Sequence, residues 1–167
     1  KLSNAQTAQM IIDAGFDAQH ETEHIDGDIV VINTCGFIGD AKEESIETIL
    51  EHVEAKKAKL VTSIYVMGCL SERYKNDLMS AIPEVDGWYG KFDWNKLVSD
   101  ITLKTPSKAK YDRIITTPSH QAYLKIAEGC NRFCSFCAIP LITGRYTSRP
   151  IEEITDEVKM LVSRGVK

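Results

Sequence analysis

Twice in its amino-terminal half the chain runs through a short β-branched apolar stretch, reaches a cysteine, and passes at once into a charged stretch of helical period: "IVVINTC" at 29–35 and "VTSIYVMGC" at 61–69. Such runs are too short for core helices and read as strands. Strands separated by helices rather than by tight turns pair in parallel, so this rhythm predicts an α/β fold: an open parallel sheet with flanking helices. After the first strand, Asp40 and Glu43 stand in capping-box relation, and Ile46, Ile49, Leu50 and Val53 recur along one face. After the second, Ser71 is placed to cap a helix through about Ala81, with Tyr74, Leu78 and Ile82 on its buried stripe and Pro83 as its stop. A third apolar run, "VDGWYG" at 85–90, precedes a helix over 93–101, and a leading helix over 5–14 ends at Gly15.

The stretch "TLKTPSKAKYDRIITTPSH" at 102–120 carries two prolines and several lysines without periodicity, and so reads as a linker between a domain over 1–101 and a second over 121–167. In the second part, "AYLKIA" at 122–127 alternates like a strand, a cysteine-bearing loop follows, and 150–164 reads as a helix. The chain opens at a helix-leading loop and closes on "SRGVK", a helix stop that ordinarily leads into another strand; it reads as a fragment.

With 167 residues, 43% hydrophobic and 26% charged, the chain is long enough for a real core. A net charge of −4 and a pI near 5.6 do not fit a surface that neutralises nucleic-acid phosphates throughout, and suit a basic protein partner. No apolar run approaches the roughly 20 residues of a membrane span, and the amino end lacks a secretory pattern. The expectation is a cytoplasmic protein with no membrane partner. Five cysteines, three of them within "CNRFCSFC", do not form a spread disulfide framework; in a reducing compartment they read as ligands without disulfide partners.

Cys130, Cys134 and Cys137 have the spacing C-x3-C-x2-C on a loop directly after a strand, where three thiolates can converge on one centre. A structural zinc site wants four protein ligands, and the nearest histidine, His120, lies before the strand. A cubane iron–sulfur cluster also wants four ligands, and three from protein leave one iron open to a small molecule. A zinc site and a redox pair stand as the alternatives. Cys35 and Cys69 each follow a strand at the same relative point, and in a parallel sheet successive strand ends lie on one edge, so the two thiols can share a crevice.

With Phe136 before the last cysteine, the loop resembles the signature of the radical S-adenosylmethionine enzymes, in which Cys130, Cys134 and Cys137 would hold a 4Fe–4S cluster whose open iron binds S-adenosylmethionine. Nearly end to end, "NTCGFI", "MGCLSER", "VDGWYGKFD" and "YLKIAEGCNRFCSFCAIP" resemble the methylthiotransferases, closest to the branch that modifies an aspartate of small-subunit ribosomal protein S-twelve. The resemblance implies two 4Fe–4S clusters: the radical cluster, and an accessory cluster held by Cys35, Cys69 and a third cysteine expected just before Lys1. It implies an external electron donor, and a truncated partial (β/α) barrel of which 121–167 are the first strand-loop-helix unit. One S-adenosylmethionine would donate a methyl group to sulfur at the accessory cluster; a second would be cleaved to a radical that abstracts hydrogen from the aspartate β-carbon, which then takes up the methylthio group. The neighbouring branch acts on transfer RNA adenosine and more often carries Ala-Gln after the second Gly-Cys, where this chain has Leu70-Ser71-Glu72. A non-enzymatic electron carrier is the alternative from another class.

Lys125 and Glu128 flank the loop, and Arg145 and Arg149 follow it; each reads equally as a solvated residue. His24, His52 and His120 are isolated, and "EHVEAKKAK" reads as the exposed end of a helix.

Overall fold

The expected parallel pairing is present in the computed structural model, which describes residues 2–19, 27–103, 113–115 and 117–167, with side chains from residue 7 onward. His24 and most of the linker expected over 102–120 lie outside the described residues. The chain divides into two compact units, one of Glu21–Leu103 and one of Lys1–His20 with Lys104–Lys167.

In the first unit, β1 (Gly27–Thr34) pairs in parallel with β2 (Val61–Gly68), and β2 with β3 (Gly87–Trp88), in the order β1-β2-β3. Side chains alternate across a strand, so Ile32, Ile64, Val66 and Trp88 fall on one face. There they pack with Ile49 and Val53 of α2 (Gly39–Lys57) and with Leu70 and Leu78 of α3 (Cys69–Ala81). Met67 and Tyr89, with Val31 and Tyr65, fall on the other face and meet Leu97 and Ile101 of α4 (Trp94–Thr102). Burial on both faces is why β2, the central strand, reads as a near-continuous apolar run. Each side chain fully withdrawn from water, as Ile49, Ile64 and Leu97 are, contributes about 1.5–3 kcal/mol.

β3 is only two residues long, and Asp86 anchors it. The Asp86 N–H donates to Ile64 O at 2.9 Å, and its carboxylate accepts from Ile64 N at 2.7 Å and from Lys56 Nζ at 2.5 Å. Lys56 also donates to Glu84 O at 2.9 Å, which ties α2 to the approach to β3.

Three local expectations in this unit are corrected. No Asp40–Glu43 capping box forms: α2 begins two residues earlier, at Gly39, with Ile38 as the N-cap and no side chain capping it. Asp40 instead sits in the first turn, where a carboxylate complements the helix dipole. Leu50 is 46% exposed, because the stripe facing the sheet runs through Ile49 and Val53, and Leu50 is rotated about 100° from Ile49. Ser71 is not a cap. The φ of +113° at Gly68 breaks the strand so sharply that α3 starts at Cys69, leaving Ser71 inside the helix with its Oγ buried and without a hydrogen-bond partner. Tyr74 stands at a kink of this helix (φ −123°, ψ 23°) and is half-buried against the core.

The second unit holds α1 (Leu2–Asp13), β4 (Ala127–Glu128), α5 (Ile139–Thr143), β5 (Thr147–Ser148) and α6 (Ile151–Ser163). The strand expected over 122–127 is found only at its end, where β4 pairs antiparallel with β5. A strand exists where a partner does, and here the returning chain meets it only from Arg149, whose N–H donates to Ile126 O, to Gly144, whose O accepts from Cys130 N. α6 ends as its sequence predicts: Gly165 takes φ +93° and Val166 N donates to Leu161 O at 3.2 Å.

Glu157 of α6 is 2% exposed and carries a charge, which demands partners. It has two: Arg113 Nη2 at 3.2 Å and Arg149 Nη1 at 2.6 Å. Those arginines also donate to Tyr123 O and Lys125 O, so one carboxylate on α6 gathers the segment that leads to the cysteine loop and the segment that returns from it.

Candidate functional site

The β1–β2 register ends at Thr34↔Gly68, so Cys35 and Cys69 occupy the next position on neighbouring strand ends. Each is fixed by backbone. Cys35 N donates to Ser45 Oγ at 3.0 Å, and Ser45 donates to Ala41 O, tying the cysteine to α2. Gly36 lies flat against the Cys69 peptide: a Cβ there would stand 2.7 Å from Cys69 C and O. Gly68 fixes the other side, since a Cβ would overlap Asn33 Oδ1 and the Thr34 backbone, at a φ that side chains rarely adopt. Gly68→Ala is accordingly expected to lower stability by about 2–4 kcal/mol. Gly27→Ala, which meets no atom within 4 Å, is the control; urea midpoints measure both.

Counting on from Val66↔Trp88 places Lys91 level with Cys69 beyond the end of β3. Glu72, one turn into α3, accepts from Lys91 N at 2.9 Å, and Asp93 Oδ2 accepts from Gly90 N at 2.9 Å. A Cβ at Gly90 would overlap Glu72 Oε2, so glycine is what lets the turn sit between these carboxylates. Burial raises the Cys69 thiol above its ordinary range, with Lys91 opposing and Cys35 reinforcing the shift. Burial lowers Lys91, opposed by Cys69 and Glu72. Cys69 thus feels both Cys35 and Lys91 at the carboxyl edge of the sheet, where open α/β sheets bind their ligands.

In the second unit, Cys130 follows β4 after Gly129, whose φ of +79° and close approach to Arg145 O admit no side chain. Arg132 N donates to Cys130 Sγ at 3.5 Å, Cys137 N donates to Cys134 O at 2.9 Å, and Phe133 adopts φ +47°. Tyr146 N donates to Asn131 Oδ1 at 3.0 Å, pinning the loop to the returning chain. Cys134 is exposed, Cys130 and Cys137 are half-buried, and Phe136 projects with 91% of its surface exposed. All five cysteines are free. Among the described residues no three His, Cys, Asp or Glu side chains already stand as a metal cage. The donors nonetheless fit a thiophilic centre: free thiols on a backbone-pinned loop, one already accepting an N–H.

Other candidates resolve into structural roles. Lys125 and Glu128 pair with each other, and Arg149 serves Glu157 and Lys125 O. His52 Nδ1 lies 2.8 Å from Thr48 O within α2. The run "EHVEAKKAK" is the carboxy-terminal end of α2, yet its Lys56 is tied to Asp86. Sequence reasoning met Gly36, Glu72, Gly90 and Lys91 only inside motifs that carry a resemblance, and gave none of them a place at the site; the local signal was a glycine two residues beyond the "GW" of β3.

The family described as "Uncharacterized protein family UPF0004" matches residues 2–90, more than half of the chain and all of β1 to β3. The chain belongs to this family. The chain is also similar to curated proteins named "Ribosomal protein uS12 methylthiotransferase RimO". It is 58% identical over 153 residues to that of Porphyromonas gingivalis, covering 92% of this chain and 35% of the relative. It is 54% identical over 166 residues to that of Bacteroides fragilis (99% and 38%), and 44% identical over 153 residues to that of Cytophaga hutchinsonii (92% and 35%). The chain therefore spans little more than a third of the length of these relatives. UPF0004 membership covers the edge that carries Cys35 and Cys69, while the Cys130–Cys137 loop lies beyond residue 90. No helix among the described residues is long and apolar enough to cross a membrane.

Proposed function

We propose that the chain is part of a radical S-adenosylmethionine methylthiotransferase that modifies an aspartate of ribosomal protein S-twelve in the cytoplasm, drawing electrons from an external donor. The observation that carries this reading is that Cys35 and Cys69 each stand one residue past the last β1–β2 pair, in a chain that also bears the C-x3-C-x2-C loop and is 58% identical to a protein of that name. Cys130, Cys134 and Cys137 would hold one 4Fe–4S cluster, and Cys35 and Cys69 would contribute to a second. When bound, these clusters supply S-adenosylmethionine cleavage and the sulfur that is transferred.

The chain's own residues supply placement. The Asn131–Tyr146 and Cys130–Gly144 hydrogen bonds hold the loop while leaving its thiols open. The exposed Phe136 offers an apolar face beside Cys137 to whatever closes over the cluster. Gly36 and Gly68 fix the backbone from which Cys35 and Cys69 project.

The full-length protein, reconstituted anaerobically and supplied separately with ribosomal protein S-twelve and with transfer RNA, tests this reading by mass spectrometry. A methylthio increment on the S-twelve aspartate is expected. An increment on the RNA alone, or none on either, overturns the substrate assignment.

A further inference from the structure

The sequence reading assigns thiols to the edge of the sheet and says nothing of the end of β3, which the structure brings to the same level. We propose that Lys91 is the fixed counter-charge of the Cys35–Cys69 site, and that Glu72 is the positioning residue that holds it there. This rests on the reading of that site as an accessory iron–sulfur centre.

Three observations carry it. Cys35 and Cys69 each stand one residue past the last β1–β2 pair, and Lys91 stands three residues past Trp88, the last β3 residue paired with β2, so all three lie just beyond the carboxyl ends of neighbouring strands. Glu72 stands three residues after Cys69, hence on the same side of α3, and its carboxylate takes the Lys91 N–H at 2.9 Å. The turn has been shaped to permit this: Gly90 has no room for a Cβ beside Glu72 Oε2, and Asp93 Oδ2 takes the Gly90 N–H from the other side at 2.9 Å.

The turn after β3 is thus clasped by carboxylates from α3 and from the start of α4, and the clasp fixes where the Lys91 side chain begins. That side chain feels both Cys69 and Glu72, and its Nζ lies 5.2 Å from the centre of the Phe92 ring. A cluster ligated by thiolates carries net negative charge, and a cation fixed beside it favours the more reduced, more negative state. Glu72 is exposed, so removing its side chain opens no cavity in the core.

The test uses the full-length protein with Cys130, Cys134 and Cys137 replaced by alanine, so that only the Cys35–Cys69 centre is read by electron paramagnetic resonance during a redox titration. At a fixed poise, Lys91→Met is expected to lower the reduced-to-oxidised ratio about tenfold, the order expected when a unit positive charge leaves a partly exposed site. Glu72→Ala and Glu72→Gln lose the same negative charge, but only the glutamine keeps an acceptor for Lys91 N, so the Glu72→Ala ratio is expected to fall about tenfold below that of Glu72→Gln. In the cluster-free protein, Glu72→Ala is expected to speed hydrogen exchange at the Lys91 amide about tenfold or more, with Glu72→Gln unaffected.

Equal ratios in Glu72→Ala and Glu72→Gln overturn the positioning role even if the amide exchanges faster in Glu72→Ala, since the clasp would then be local bracing only. An unchanged ratio in Lys91→Met overturns the counter-charge role. Absence of iron from the variant that retains Glu72 and Lys91 overturns the accessory-centre reading itself, and the inference with it.

Discussion

Replacing Glu157 by alanine is expected to cost about 3–5 kcal/mol of stability, seen as a lower midpoint in thermal and chemical unfolding. The side chains of Glu157 and Arg113 are each 3% exposed, and their charges are stabilised by each other and by Arg149 rather than by water. Deleting the carboxylate leaves the Arg113 guanidinium enclosed with its main remaining partner the Tyr123 carbonyl, and a buried charge without its counter-ion bears most of its desolvation cost. Glu157→Gln keeps the volume and one acceptor and is expected to lose less. A double variant, Arg113→Met with Glu157→Met, is expected to recover much of the alanine loss, because it removes both charges together. A loss under about 1 kcal/mol in Glu157→Ala would show that solvent reaches the triad and that the clamp is not what holds α6 to the segments around the cysteine loop.

Glu157 also shows where sequence reading stops. In "PIEEITDEV" it is one of several acidic residues at the start of an amphipathic helix, and nothing local distinguishes it from its exposed neighbours Glu152 and Asp156. Its burial depends on Arg113 and Arg149, which lie 44 residues before it and eight before it. β2, by contrast, was legible because burial on both faces leaves a composition that a central strand carries, and β1, at the edge of the order, because its run is β-branched and too short for a helix. Their cysteines were legible as a pair because position relative to a strand end is a local property, and parallel pairing converts equal local positions into spatial neighbours. Lys91 was not legible on the same basis, since β3 is only two residues long and its register is set by the Asp86 anchor rather than by a run of apolar residues. Ser71 and Asp40 failed as caps for a shared reason. Residue-type rules place a cap where an acceptor stands, whereas these helices start where the chain turns off the sheet edge, at Gly68 and at Ile38. The two-residue β4 reflects the same dependence on partners: alternation in "AYLKIA" marks a capacity to pair, and pairing occurs only where β5 reaches it.

Changing Cys130, Cys134 and Cys137 together to alanine in the full-length protein is expected to lower bound iron from about eight to about four per chain, with sulfide falling in proportion, and to abolish reductive cleavage of S-adenosylmethionine. Changing Cys35 and Cys69 is expected to remove the other half of the iron and leave that cleavage in place. The contrast is informative because neither loss should be a folding defect. Cys134 is exposed and Cys130 and Cys137 are half-buried, so none fills a core, and the loop is held by Asn131, Gly129 and the Gly144 carbonyl rather than by its thiols. The apoprotein's unfolding midpoint should therefore be unchanged in the triple variant. Cys69 is 9% exposed and packs closer to the core, so a small drop in midpoint is expected there from lost volume alone, and Cys69→Ser separates volume from ligation. One equivalent of zinc without sulfide in the unaltered protein would sink the iron–sulfur assignment for the loop. Iron and sulfide without S-adenosylmethionine cleavage would instead make the protein an electron carrier, because binding a cluster needs only converging thiolates, whereas cleavage needs an iron left open by a set of three.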